Sequence, residues 1–168
     1  MKRIVIFMLL MSAALFSGNA CYADGIKGNI AAVDADKGTI SISGITIFGG
    51  DAIIENEKEK RVKMSALAVS DYVMVKGSFD GEGGMKAIKI EKREPGGDVV
   101  EGTVDKMDIA SKTLYIGDIT VKMTGDTLVK EPFSLKLTLE QLMLPYYVTC
   151  EGKWTGQKEF TADKVVMD

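Results

Sequence analysis

The chain has 168 residues, 46% hydrophobic and 27% charged, with 21 Lys plus Arg against 24 Asp plus Glu and no histidine. A formal net charge of −3 opposes nucleic-acid binding, whose affinity rests mainly on neutralising phosphate. The missing histidine removes the commonest general base near neutral pH and the commonest transition-metal ligand.

The N-terminus reads Lys2-Arg3, then an apolar run from Ile4 to Phe16, then Ser17-Gly18-Asn19-Ala20. That order predicts a secretory signal peptide over residues 1–23. The run of about 13 residues is short of the roughly 20 that cross a bilayer as a helix, so the mature chain is expected to have no membrane span. Cleavage after Ala23 discards Cys21. Lipoprotein processing would instead make Cys21 a lipidated first residue and a membrane anchor, although Gly18 stands where that route prefers a Leu-like side chain. A cut after Ala20 leaves Cys21 as a free thiol able to pair with Cys150 in an oxidising compartment. Losing Lys2 and Arg3 lowers the net charge from −3 to −5, which also argues against an anionic membrane surface. The expected location is periplasmic or extracellular.

The first unit, 24–92, carries a period-two signal. A first strand is predicted from Gly28 to Val33. Ile30 and Val33 are three apart, so both point inward only if a β-bulge breaks the parity. Asp34-Ala35-Asp36-Lys37-Gly38 opens like a calcium loop. Its twelfth position is Ile45, where a glutamate ligand is required, so a plain Asx-type turn is expected. Ile40 and Ile42 alternate with Thr39, Ser41 and Ser43 in a second strand. After a Ser43-Gly44 turn, Ile45 to Phe48 forms the third. From Gly49 to Asp71 the pattern is less regular. It includes a mixed-sign run from Glu55 to Arg61, read as a solvated loop, and one or two helical turns over Met64 to Val69. The fourth strand is Tyr72 to Gly81 and the fifth Met85 to Lys92.

A linker at 93–97, Arg-Glu-Pro-Gly-Gly, precedes a second unit at 98–168 that repeats the first. Lys27 to Ile47 lies over Glu101 to Val121 without a gap, matching Gly28 with Gly102 and Asp34 with Asp108. After one inserted residue near Gly49, Tyr72 matches Tyr147, Gly77 matches Gly152, Gly81 matches Gly156 and Ala87 matches Ala162. Third and fourth strands are predicted at Ile119 to Met123 and Tyr147 to Gly156, and a fifth at Phe160 to Met167. A helix start is predicted between them, with Thr138 as N-cap and Gln141 at the capping-box position. Five strands with a short helix or loop before the fourth is the order of a small Greek-key barrel. The expected fold is therefore all-β, two tandem five-stranded OB-like barrels; a two-sheet sandwich is the alternative. A unit of about 70 residues is only marginally stable alone, so the copies have reason to pack together.

Little here carries chemistry. Cys150 aligns with Val75 and is expected to be a buried, inert thiol. Met64, Met74, Met85, Met107, Met123, Met143 and Met167 are scattered as apolar filler. None of Ser65, Ser70, Ser111 or Ser134 has a lysine three residues on, and no phosphate loop is present, so no enzyme activity and no cofactor are expected. Trp154 and Tyr146 are the candidate binding aromatics. The competing reading has Trp154 closing the core in the place of Phe79. Val73 and Val75, matched by Val148 and Cys150, should face the core, with Gly77 and Gly152 letting the strand bend.

Gly-x-(Ile/Val) followed by Asp, a Thr-led alternating strand, Leu before Tyr-Val-x-(Val/Cys)-x-Gly, and Ala-x-x-(Ile/Val) together resemble a family of bacterial exported domains of unknown function. The resemblance implies small β-barrels in tandem behind a signal peptide, and it implies no catalytic residues. The functional expectation is a noncatalytic envelope protein that binds or braces an envelope protein or glycan. Alternatives are a carbohydrate or cell-wall module using Trp154, and a periplasmic metal-handling protein.

Overall fold

The computed structural model describes residues 23–56, 58, 60–131 and 144–167. The expected signal segment up to Tyr22, with Cys21, and the helix expected from Thr138 lie outside the described residues. Within them the chain is all-β. The first half carries β1 (Asp24–Asn29), β2 (Ala32–Asp34), β3 (Thr39–Ile42), β4 (Ile45–Phe48), β5 (Ile53–Glu55), β6 (Tyr72–Phe79) and β7 (Gly84–Lys92). The second carries β8 (Asp98–Thr103), β9 (Lys106–Asp108), β10 (Thr113–Ile116), β11 (Ile119–Lys130), β12 (Tyr147–Gly156) and β13 (Glu159–Met167). The helical turns expected over Met64 to Val69 reduce to one 3-10 turn at Met64–Ala66.

Alternation turns into burial where it was clearest. Ile40, Ile42, Ile45 and Ile47 are buried, while Ser41 and Thr46 point outward. Val73, Val75, Val148 and Cys150 all face the core. Two strands depart from expectation. The parity break between Ile30 and Val33 is a gap in the strand at Ile30–Ala31, where the chain changes partners: Ile30 N donates to Asp71 O at 2.8 Å, and Ala31 N to Ser41 O at 2.8 Å. Val104 and Asp105 do the same in the second half, donating to Tyr146 O and Tyr115 O. The other departure is β11, which runs on to Lys130 although the third strand of the second unit was expected to end at Met123. Thr127 holds that extension, because its hydroxyl donates to Ala162 O of β13 at 2.6 Å.

The strands form one ladder in the order β2-β3-β4-β7-β6-β1-β8-β12-β13-β11-β10-β9, with β5 also on β7. Most neighbours are antiparallel; β4–β7, β5–β7 and β11–β13 are parallel. Outward from β1 and from β8 the pairings follow the same succession. The two halves meet along β1 and β8, where Ile26 faces Val100 and Gly25 faces Glu101. Ile26 and Val100 are equivalent positions in the two halves, so this antiparallel contact is isologous, each half offering the same edge to the other. One hydrophobic cluster runs through both halves, from Ile26 and Val75 to Cys150 and Phe160.

Candidate functional site

The repeated residues Tyr72 and Tyr147 open β6 and β12, and their hydroxyls cross between the halves. Tyr147 donates to Ala23 O at 2.8 Å, just before β1. The Tyr72 hydroxyl lies 2.6 Å from Gly97 O and 2.9 Å from Gly96 O, just before β8. The Lys27 ammonium sits 5.2 Å from the centroid of the Tyr72 ring. Each tyrosine thus ties its own half to the entry strand of the other, and the linker at 93–97 is held by one of these ties.

Trp154 adds a third crossing. Its indole N–H donates to Lys27 O of β1 at 3.0 Å, and its ring meets Phe160 edge-on with centroids 5.2 Å apart. Gly28 makes room, since a Cβ there would stand 2.8 Å from the indole nitrogen. The half-buried ring packs on Phe160 of its own half and on β1 of the other. It packs into the seam. Its counterpart Phe79 lies over Gly117 of the other half. Tyr146, the second candidate aromatic, is partly buried against the core. Trp154 and Tyr146 therefore form no open aromatic surface.

The other repeated positions shape the backbone. Asp34 accepts from Lys37 N at 3.0 Å, and Asp108 from Ala110 N at 3.0 Å and Ser111 N at 3.2 Å. These are Asx turns. Side-chain hydrogen bonds, from Lys37 to Asp34 and from Ser111 to Asp108, and then these backbone ones, hold both carboxyls below the ordinary carboxylate range. Among the described residues no group of three or more His, Cys, Asp or Glu side chains is placed to hold a metal. Gly77 and Gly152 sit at register shifts opposite the unpaired residues Ile88 and Asp163, so both are bulge positions. Gly102 lies against Ile116 and Asp24.

Three surface clefts stand out among the described residues. One of about 320 Å³ is lined by Lys27, Glu55, Asn56, Glu91, Lys92, Arg93 and Glu94. Its charges largely answer one another: Lys89 bonds Glu55 and Glu91, Arg93 bonds Glu91, and Lys92 bonds Asp71. Lys89, then Arg93, holds the Glu91 carboxyl low against the opposing effect of burial. A second cleft, about 250 Å³, brings Asp24 and Asp105 together with Phe79, Thr103 and Gly117. Burial raises the Asp24 pKa and the nearby Asp105 adds to it, but both carboxylates already accept backbone N–H bonds, from Phe79 and Gly117 respectively. A third, also about 250 Å³, is lined by Phe48, Gly50, Asp51, Asp80, Lys86 and Ala87. The Cys150 thiol is fully buried and its pKa is pushed up to about 12, which keeps it protonated and unreactive.

Residues 27–91 match the family model of a domain of unknown function, DUF5666. Searches of curated proteins and of solved structures returned no match. The DUF5666 match begins inside β1 and ends inside β7, so it takes in Tyr72, Gly77 and the Phe48 cleft of the first half.

Within the DUF5666 segment, Tyr72 offers a pH test. Burial, and then the charge of Asp98, push its hydroxyl pKa up to about 12 from 10.0. A raised folded-state pKa contributes stability below the unfolded value that is lost as pH rises through the folded one. Stability should therefore fall between pH 10 and 12, by less in Tyr72→Phe than in the parent, as followed by urea midpoints across that range. An equal fall in both would show that Tyr72 is not the group responsible. The Phe48 cleft and the Asp24–Asp105 pair escaped sequence reasoning because their members come from separate strands and turns. The available signal for the first was the mismatch of Phe48 with Lys122 at an outward strand position.

Proposed function

We propose that the chain is an exported, noncatalytic envelope protein whose two tandem OB-like barrels are fused into a single binding or bracing module. The barrel reading is supported by the bent entry strands. β1–β2 and β8–β9 each turn from one neighbour to another across a two-residue break, and β4–β7 and β11–β13 supply the parallel pairing of a five-stranded Greek-key barrel. The tandem reading is supported by the shared succession of pairings and the matched bulges at Gly77 and Gly152.

The seam carries the functional reading. The repeated side chains Tyr72 and Tyr147, together with Trp154, are spent on joining the halves rather than on converging at a reaction centre. This favours a scaffold that presents surface over an enzyme. The partner is an envelope protein or a glycan, met in the periplasm or outside the cell.

The fold also bears on processing. Cleavage after Ala23 would remove the carbonyl that Tyr147 holds, whereas cleavage at residue 20 retains it. A mature chain beginning at Cys21, either free or lipidated, would keep this bond, and one beginning at Asp24, as the expected signal segment 1–23 implies, would lose it. N-terminal sequencing and intact mass of the protein recovered from fractionated cells test this. A chain still starting at Met1 in the cytosol would overturn the export reading, whereas a start at Asp24 or at Cys21 would support it.

A further inference from the structure

We propose that the cleft beside Phe48 is a saccharide subsite, with the phenyl ring as the stacking face and Asp51, Asp80 and Lys86 as its hydrogen-bonding rim. The proposal deepens the binding-module reading and rests on it.

Phe48 ends a strand whose inward positions, Ile45 and Ile47, are fully buried; its own side chain points outward and is 48% exposed. The ring lies over Gly84 of β7. A Cβ at Gly84 would stand 2.8 Å from Phe48 Cε2 and 2.6 Å from Asp80 Oδ2, so ring edge and carboxylate converge above the same stretch of backbone. Asp80 is fixed there because its Oδ1 accepts from Glu82 N at 2.8 Å and Gly84 N at 2.9 Å. Lys86 faces Phe48 across the β4–β7 ladder.

The second half serves as an internal control. There Lys122 faces Thr161 where Phe48 faces Lys86, and Thr155 stands in the place of Asp80. Lys122 pairs with Glu159 at 2.9 Å, an ordinary solvated ion pair. The inward positions keep their class between the halves: Ile45 with Ile119, Ile47 with Val121, Met85 with Phe160. The scaffold thus tolerates a lysine at this outward position and does not need an aromatic ring there.

A sugar ring presents an apolar C–H face together with hydroxyls that both donate and accept. The cleft matches each part, offering an aromatic face, two carboxylate acceptors and an ammonium donor. A quaternary ammonium would also suit the ring and the carboxylates, but it would meet the Lys86 charge. At about 250 Å³ the cleft is below the roughly 300 Å³ at which pockets for whole small molecules begin, so it takes one unit of a longer glycan.

The test is a ¹⁵N–¹H NMR titration of the mature chain with four tetrasaccharides: β-1,4 N-acetylglucosamine, β-1,4 glucose, α-1,4 glucose and mannose. Choline is the comparison ligand. At least one glycan should shift the amides of Asp51, Gly84 and Lys86. Phe48→Ala and Phe48→Lys should each weaken that binding at least tenfold while leaving the rest of the spectrum in place, since the ring is exposed. The site is overturned if no glycan moves these amides, if affinity survives both substitutions, or if choline alone produces the shifts. Glycan shifts confined to Gly28 and Trp154 would overturn this subsite and leave the binding-module reading standing.

Discussion

Gly152→Ala should lower stability by about 3 kcal/mol, at the upper end of the cost of overpacking, read from the urea midpoint at constant m-value. An added Cβ would lie 2.1 Å from Thr161 O and 2.9 Å from Ala162 Cα. Those atoms are backbone, so they cannot swing aside as a flexible side-chain end would. Gly77→Ala should behave alike, because its Cβ would meet Lys86 O at 2.0 Å and Ala87 Cα at 3.0 Å. The equivalence matters as much as the size. Both glycines sit where the strand crosses its partner at a bulge, so both substitutions should force the same local separation of strands. A loss below about 0.5 kcal/mol, within the usual range for surface substitutions, would contradict the bulge geometry. Gly81→Ala makes a useful contrast, since nothing lies within 4 Å of its added carbon and only the φ of +76° penalises it.

Ile26→Ala should cost about 3 kcal/mol through lost transfer energy and the cavity left behind. Ile26 is fully buried at the centre of the β1–β8 contact, opposite Val100. Because that contact joins equivalent edges, the damage should fall on both halves together, and unfolding should remain a single transition at a lower urea midpoint. Ile30→Ala, buried within the first half and outside the β1–β8 ladder, separates a seam effect from simple loss of core volume. Lys76 and Glu101 also cross the seam as an ion pair. Removing that partly exposed pair should matter far less, by about 0.2–1 kcal/mol, than removing the apolar pair beneath it.

Much of the strand plan was legible because inward and outward residues alternate with period two wherever one face is buried. Ile40, Ile42, Ile45 and Ile47 follow that rule, as do Val73 and Val75. The break at Ile30–Ala31 was visible only as a parity fault, since the choice between a bulge and a change of partner depends on which carbonyls lie alongside. The extension of β11 to Lys130 was hidden because Thr127 is held by Ala162 O, a contact 35 residues away. The seam was the least legible feature. Tyr72 and Tyr147 stand out as repeated residues, but nothing local says that their hydroxyls reach carbonyls at the start of the opposite half. Trp154 shows the same limit. Sequence offered a core filler or a binding platform, whereas the indole N–H is satisfied by Lys27 O across the seam. The Phe48 cleft needs β4, β7 and two turns at once, so it becomes visible only in three dimensions.

The two halves should behave as one body joined along β1 and β8. Trp154 is the only tryptophan in the chain and lies in that seam, so its fluorescence reports whether the halves are docked. Urea unfolding followed together by Trp154 fluorescence and by far-ultraviolet circular dichroism should give coincident transitions, as a two-state body requires. A fluorescence change complete at lower urea, with β-sheet signal still intact, would mean that the halves separate before they unfold and would contradict the account.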